Sequence, residues 1–300
     1  MAPLIQAALE LWKLPVSLTL TIVFTALLYL RGWLHLRSTS LNVIPAWRAS
    51  SFLLGLWLTW VAVASPIAAL DEELLTVHMV QHLLLMTIAP PLIWLGAPVI
   101  PVLHGLPRRF VHRVIGPLFR WPPLQRLGRA LAQPAFCWFA AAGVLVGWHV
   151  PAAFTFGLHS EAWHAVEHAS FLGTGLLFWW PVIQPWPTAS NWSEWSILLY
   201  LFLATLPCDI LSGFLVFCDR VVYPAYFSSS QLFGLPPLQD QQCAGALMWT
   251  CVTVVYLIAG TIVTARLLSP NRLRQYSISK LDSQPSTAAP QTTRQSTEAA

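Results

Sequence analysis

Residues 74–102 read LLTVHMVQHLLLMTIAPPLIWLGAPVIPV, without one Asp, Glu, Lys or Arg. A helix needs about 20 mostly apolar residues to cross the hydrocarbon core of a bilayer, and this run is longer than that. It nevertheless carries His78 and His82, four residues apart, and prolines that include Pro90, Pro91 and Pro98. A proline pair inside a helix removes backbone hydrogen bonds and kinks it. Within a membrane, neighbouring helices can repair such a defect. The stretch therefore reads as a bent spanning helix with two imidazoles near its start.

Six other runs have the same character: 14–34, 50–69, 132–153, 162–184, 194–217 and 242–267. The expected fold class is all-α, a polytopic membrane protein with seven transmembrane helices. Residues 1–270 make that domain. Residues 271–300 are rich in Ser, Thr, Gln and Pro, cannot bury a core, and read as a disordered cytoplasmic tail. No internal repeat and no separate soluble domain is evident.

Composition agrees. Only 9% of the 300 residues are charged and 56% are hydrophobic, with a mean hydropathy of +0.61. Soluble domains carry about 25% charged residues, so this chain lacks the polar surface that water requires. Sixteen Trp are present, and several, among them Trp33, Trp47, Trp121, Trp163 and Trp186, fall where apolar runs meet polar loops, the boundary that amphipathic rings favour. The net charge of +4 is carried almost wholly by Arg. Those Arg lie in short loops between apolar runs, which argues for membrane orientation and against a nucleic-acid partner.

Orientation follows from the loops. Arg31, Arg37 and Arg48 lie between the first two spans, Arg108, Arg109, Arg113, Arg120, Arg126 and Arg129 between the third and fourth, and Arg266, Arg272, Arg274 and Lys280 after the last. The opposite loops carry Asp71, Glu72, Glu73 and Glu161, with Arg220 their one Arg. Positive charge marks the cytoplasmic side, so the N-terminus is expected outside and the C-terminus inside the cell. The Arg-rich stretch from Pro107 to Gln133 reads as a segment lying on the inner membrane surface among lipid headgroups. The N-terminus has no basic region and no clear cleavage site, so no cleaved leader is expected. The five cysteines form no CxxC and read as packing residues, with a Cys218–Cys243 disulfide open only if both reach the oxidising face.

On this topology six of nine histidines fall on the outer side. His78 and His82 share one face of span three. His149 lies about one turn from the outer end of span four, and His164 and His168 repeat the four-residue spacing at the start of span five. His159 is in the loop before them and reads as a loop residue. Asp240 opens span seven, Met248 lies two turns deeper, and Glu167 stands beside the second histidine pair. Polar side chains in hydrocarbon normally face a partner, a cavity or a metal. Imidazole is the commonest metal ligand, and two at this spacing can clamp one ion. Imidazole suits copper, zinc, iron or nickel, and the thioether of Met248 would favour Cu(I). The competing reading is interhelical hydrogen bonding. Asp209, in span six beside Pro207, reads either as a functional carboxylate or as an anchor for a helix break.

The same residues carry a resemblance. The run His78-Met-Val-Gln-His82-Leu-Leu-Leu-Met86, followed by Ala89-Pro90-Pro91-Leu and Leu95-Gly96-Ala97-Pro98, resembles the CtaG family of multi-pass assembly factors for caa-type cytochrome c oxidases. Trp148-His149-Val-Pro151-Ala-Ala-Phe154 is similar to a second family block, and His164-Ala-Val-Glu167-His168-Ala-Ser-Phe171 with Phe178-Trp179-Trp180-Pro181 to a third. Asp240-Gln241-Gln242-Cys-Ala-Gly245-Ala-Leu-Met248-Trp249 is similar to a fourth. The resemblance implies a non-enzymatic factor of the plasma membrane that helps mature a haem–copper oxidase, with oxidase subunits and membrane lipid as partners. It implies copper handling at the extracytoplasmic face, with His78, His82, His149, His164, His168, Asp240 and Met248 as the metal site. Two rival readings are a haem-binding electron-transfer protein, with paired histidines as axial ligands, and a copper transporter, which would need a polar path to the inner face. No catalytic triad or nucleotide-binding motif is apparent.

Overall fold

The computed structural model describes residues 9–10, 12, 14–38, 44–183, 192–227 and 234–269. Trp186, Arg272, Arg274, Lys280 and the tail 271–300 lie outside the described residues. Among those described, the regular structure is helical and no strand occurs. The main elements are α1 (Val16–Ser38), α2 (Ala46–Ala64), α3 (Leu75–Leu83), α4 (Ala89–Leu95), α5 (Val99–Gly105), α6 (Pro122–Leu131), α7 (Pro134–His149), α8 (Pro151–Leu158), α9 (Glu161–Ile183), α10 (Glu194–Phe217) and α11 (Pro237–Leu267). Phe139, Ile210 and Phe217 stand well exposed, as suits side chains whose solvent is lipid.

Among the described residues, five helical stretches are long and apolar enough to cross a membrane: Val16–Ser38, Ala46–Leu70, Leu75–Leu95, Glu194–Phe217 and Pro237–Leu267. A sixth is added if Pro122–Leu131 and Pro134–His149, bent by 66°, are taken as one broken span. The count differs from the seven expected at two places. The apolar run from Pro134 is only 16 residues long before it ends at His149. Helix α9 has 23 residues, but Glu161, His164, Glu167 and His168 crowd its first turns and dilute its hydropathy.

The third run breaks where its prolines fall. One π turn, Leu84–Ile88, joins α3 to α4. Met86 O then has no donor available from the helix, because the residues that follow at four and five positions are Pro90 and Pro91. The indole Nε1 of Trp179 on α9 donates to it at 3.2 Å, so the broken backbone is satisfied by a neighbouring helix. The run ends at Leu95 rather than Val102. Ala97 takes a left-handed φ of 46°, Pro98 follows, and α5 turns away to pack on α1. Gly32 and Gly105 make that packing feasible: a Cβ on either would run into the backbone carbonyl of Pro101 or Leu28, respectively.

Helices α7 and α9 run antiparallel, tied by Trp148 Nε1 donating to Ser170 Oγ at 2.9 Å. Helices α10 and α11 are likewise antiparallel, with Gly245 against Leu215 and Ser212. Ser193 caps α10 by accepting from the backbone N–H of Ser196. One contiguous core runs through these helices and α3, including Met79, Phe154, Phe178, Tyr200, Leu215 and Met248. The start of α3, the end of α7 and the start of α9 consequently meet at one end of the bundle.

Candidate metal centre

Each histidine reaches this end for a local reason. His78 and His82 lie one turn apart on the buried face of α3 and their rings meet edge to face, centroids 4.3 Å apart. His164 and His168 are likewise one turn apart on α9, both half-buried, with their rings tilted at 45° and centroids also 4.3 Å apart. His149 is the last residue of α7, which Pro151 terminates because its lack of an N–H cannot continue the helix. Across helices, His78 stacks on His164 at 5.6 Å, and His82 stands 6.0 Å from His149 and 6.2 Å from His168. All five imidazoles thus belong to one cluster. Phe171 stacks on His82 at 4.0 Å and Phe154 packs against His78 at 4.9 Å, so the rings sit between apolar walls.

The centre of the cluster is a carboxylate. Glu167 Oε1 lies 3.2 Å from His82 Nε2 and 3.5 Å from His78 Nε2, with all three residues buried. Neither contact has the alignment of a hydrogen bond, and among the described residues both Glu167 oxygens and both nitrogens of each ring lack a hydrogen-bond partner. Buried polar groups are normally paired, and leaving them unpaired is costly. Two atoms each about 2.0–2.1 Å from one tetrahedral ion stand about 3.3–3.4 Å apart. The spacings at Glu167 match that edge. A second triad shares His78: His164 Nε2 lies 3.4 Å from Asp71 Oδ2, and the ligand atoms of Asp71, His78 and His164 fall within 4.8 Å of one another. His164 is the most accessible of these ligands and, with His168 and Asp71, borders a groove of about 650 Å³ between α2 and α9.

The remaining residues fall into different roles. The Nδ1 of His149 donates to Leu145 O at 2.7 Å, and its Nε2 lies 3.3 Å from Met79 Sδ. Met248 is buried and lines a small cavity of about 40 Å³ with His82, His149, Met86 and Cys208. Asp240 does not join the imidazoles. Its carboxylate accepts the N–H of Leu75 at 2.7 Å, the N–H of Thr76 at 3.1 Å and the Thr76 hydroxyl at 2.6 Å, so it caps α3 from α11. His159 lies outside the cluster, exposed, with Nδ1 donating to Thr155 O. All five cysteines are free. Asp209 faces a groove between α10 and α11, with one oxygen buried and unpaired among the described residues.

Surrounding groups hold the site in shape. Gln81 Nε2 donates to Asp71 Oδ2 at 3.0 Å. The phenols of Tyr226 and Tyr223, in the loop before α11, donate to Asp71 O at 2.8 Å and His149 O at 2.9 Å. Burial raises both phenols above the ordinary tyrosine range, which keeps them donors. Sequence reasoning placed Glu167 only beside the cluster and Asp71 only in an outer loop, and it passed over Met79. The signal for Glu167 was its place three residues after His164, on the same helix face.

Comparison with known proteins adds a family. The model of the family described as cytochrome c oxidase caa3 assembly factor matches residues 27–269. Among curated proteins, the uncharacterized protein Mb0105 of Mycobacterium bovis and the uncharacterized protein MT0111 of Mycobacterium tuberculosis are each 27% identical over 271 residues. Those alignments cover 87% of this chain and 40% of each relative, so the chain spans well under half the length of the curated relatives it matches. No solved structure matches it.

Proposed function

The chain belongs to the family of cytochrome c oxidase caa3 assembly factors, and from that premise we propose that it handles copper for a haem–copper oxidase at the extracytoplasmic face of the plasma membrane. The copper is cargo, bound at the carboxylate-centred histidine cluster and passed to, or held ready for, an oxidase subunit. Its role is assembly, not catalysis. The observation that carries the reading is Glu167 Oε1, 3.2 and 3.5 Å from two imidazole nitrogens that, with it, lack hydrogen-bond partners among the described residues.

In this reading His78, His82 and Glu167 hold the ion, and Asp71 and His164 form an outer pair through which it enters from the groove. His168, His149 and Met248 adjoin the site, and Asp240 serves as a helix cap. The seven-span topology with the N-terminus outside belongs to the same proposal, because it sets the acidic loops and the cluster on the outer face. The rival haem reading is disfavoured by packing: the rings close on one another and on Phe154 and Phe171, which leaves no slot for a macrocycle between facing imidazoles. The transporter reading is disfavoured by the apolar core that continues below Met248.

The test is metal analysis of protein purified in detergent after Cu(II) loading without a reductant, wild type against Glu167→Gln and against His82→Ala with His168→Ala. Cu(II) bound by the wild type and lost from the variants is expected. Equal Cu(II) in all three sinks the site. A Soret band in the pure protein would favour the haem reading instead.

A further inference from the structure

His149 and Met79 meet in a way that a hydrogen bond does not explain. The Nδ1 of His149 lies 2.7 Å from the carbonyl oxygen of Leu145. A carbonyl oxygen can only accept, so Nδ1 carries the ring's proton and Nε2 of the neutral ring carries a lone pair. That lone pair faces Met79 Sδ at 3.3 Å, and a thioether has no proton to give. Met79 is fully buried and His149 nearly so. The two helices thus bring two electron-pair donors together in an apolar interior. Three sulfur-bearing side chains, Met86, Met248 and Cys208, line the 40 Å³ cavity beside His149 and His82, together with Thr87, Trp138 and Tyr256.

We infer that His149 and Met79 form a second metal site, one for a soft monovalent ion, Cu(I), separate from the nitrogen–oxygen site built on Glu167. An ion about 2.0 Å from an imidazole nitrogen and about 2.3 Å from a sulfur in a tetrahedral arrangement holds them about 3.5 Å apart, close to the spacing found. Thioether sulfur selects Cu(I), whereas carboxylate and imidazole suit divalent ions. His82 lies between the two sites, its ring 4.3 Å from His78 and 6.0 Å from His149. Asp71 borders the groove, while Glu167 and Met79 are both buried on either side of His82, and the two sites separate copper by oxidation state through their donor atoms. No electron transfer is involved. The inference rests on the reading of the cluster as a copper-handling site and names the ion's form there.

The experiment uses the full chain in detergent. Cu(I) affinity is measured without oxygen against a chromophoric Cu(I) chelator, with Ag(I) as a redox-inert second probe, and Zn(II) affinity is measured in parallel. Met79→Leu preserves side-chain volume, so folding is expected to survive. It should weaken Cu(I) and Ag(I) binding by about tenfold or more, the scale on which metal sites respond to lost partners, while Zn(II) binding stays as in the wild type. Glu167→Gln should do the reverse. X-ray absorption of the Cu(I) form should contain a sulfur neighbour that Met79→Leu removes. Unchanged Cu(I) affinity in Met79→Leu overturns this site and leaves the Glu167 site standing. A sulfur neighbour that survives Met79→Leu and vanishes in Met248→Leu overturns the assignment to Met79. A wild type that binds neither Cu(I) nor Zn(II) removes the copper-handling reading itself.

Discussion

The carboxylate of Asp240, on α11, accepts the backbone N–H of Leu75 at the start of α3 at 2.7 Å. These residues are 165 positions apart in sequence. The first turn of a helix leaves N–H groups without intrahelical partners, and a carboxylate there satisfies them and opposes the helix dipole. The bond thus fixes the helix that carries His78 and His82.

Asp240→Ala should therefore act on stability before it acts on metal. Loss of a capping side chain costs about 0.5–2 kcal/mol, and hydrogen bonds to a charged group lie at the upper end. Asp240→Asn keeps one acceptor and should cost less. Thermal unfolding in detergent measures both, and metal stoichiometry at saturation should stay at the wild-type value. A loss of bound metal with unchanged stability would return Asp240 to the ligand set.

Metal should stabilise the fold through the Glu167 site. A ligand that binds only the folded state adds about 2.7 kcal/mol at a hundredfold excess over its Kd. Cu(II) or Zn(II) should thus raise the melting temperature of the wild type, a chelator should reverse the rise, and Glu167→Gln should abolish it. Protons should oppose the effect, because imidazole must be neutral to coordinate, so the rise should shrink as the medium is made acidic. An equal rise in Glu167→Gln would locate the metal elsewhere.

Trp179 should matter through the carbonyl it reaches. Trp179→Phe leaves Met86 O buried without a donor, at a cost of about 1–3 kcal/mol. Pro90→Ala supplies an N–H four residues beyond Met86 that can take over. The loss from Trp179→Phe should accordingly be smaller in the Pro90→Ala background, and a double-mutant cycle on melting temperature reads that coupling. Strict additivity would show that the indole contributes by packing alone.

Gly175 should be a sensitive position although it touches no ligand. A Cβ there would stand 2.8 Å from Met86 Cα and O and 2.9 Å from Pro90 Cγ. Two of these atoms are backbone, so α9 must move away from the π turn and α4, which continue α3. Gly175→Ala should cost about 1–3 kcal/mol by overpacking. It should also weaken divalent-metal binding while every ligand is kept, because Glu167 rides on α9 and His78 and His82 on α3. Wild-type affinity in a destabilised Gly175→Ala protein would show that the site tolerates the shift.

How much of this was legible beforehand depends on the distance over which a feature acts. Apolar runs fix helices locally, so α1, α9, α10 and α11 lie close to their expected ranges. The end of the third run was not legible, because Ala97 and Pro98 turn the chain only in combination with the close packing of α5 on α1. Length and hydropathy alone mark fewer than seven spans among the described residues, because polar side chains needed by the site interrupt hydropathy at α9 and His149 and Pro151 cut α7 short.

The site divides the same way. That the chain is helical and lipid-facing, and that two histidine pairs share helix faces, could be read from the residues alone, because hydropathy and the 3.6-residue repeat act within one segment. Which groups meet was settled by the packing of helices in three dimensions. It brought Glu167 between His78 and His82, set Met79 against His149, and turned Asp240 to a helix terminus instead. Those relations depend on how far each helix is rotated and slid against its neighbours, and the settings come from long-range packing at Gly175, Gly245 and the π turn before Pro90, which no single segment encodes.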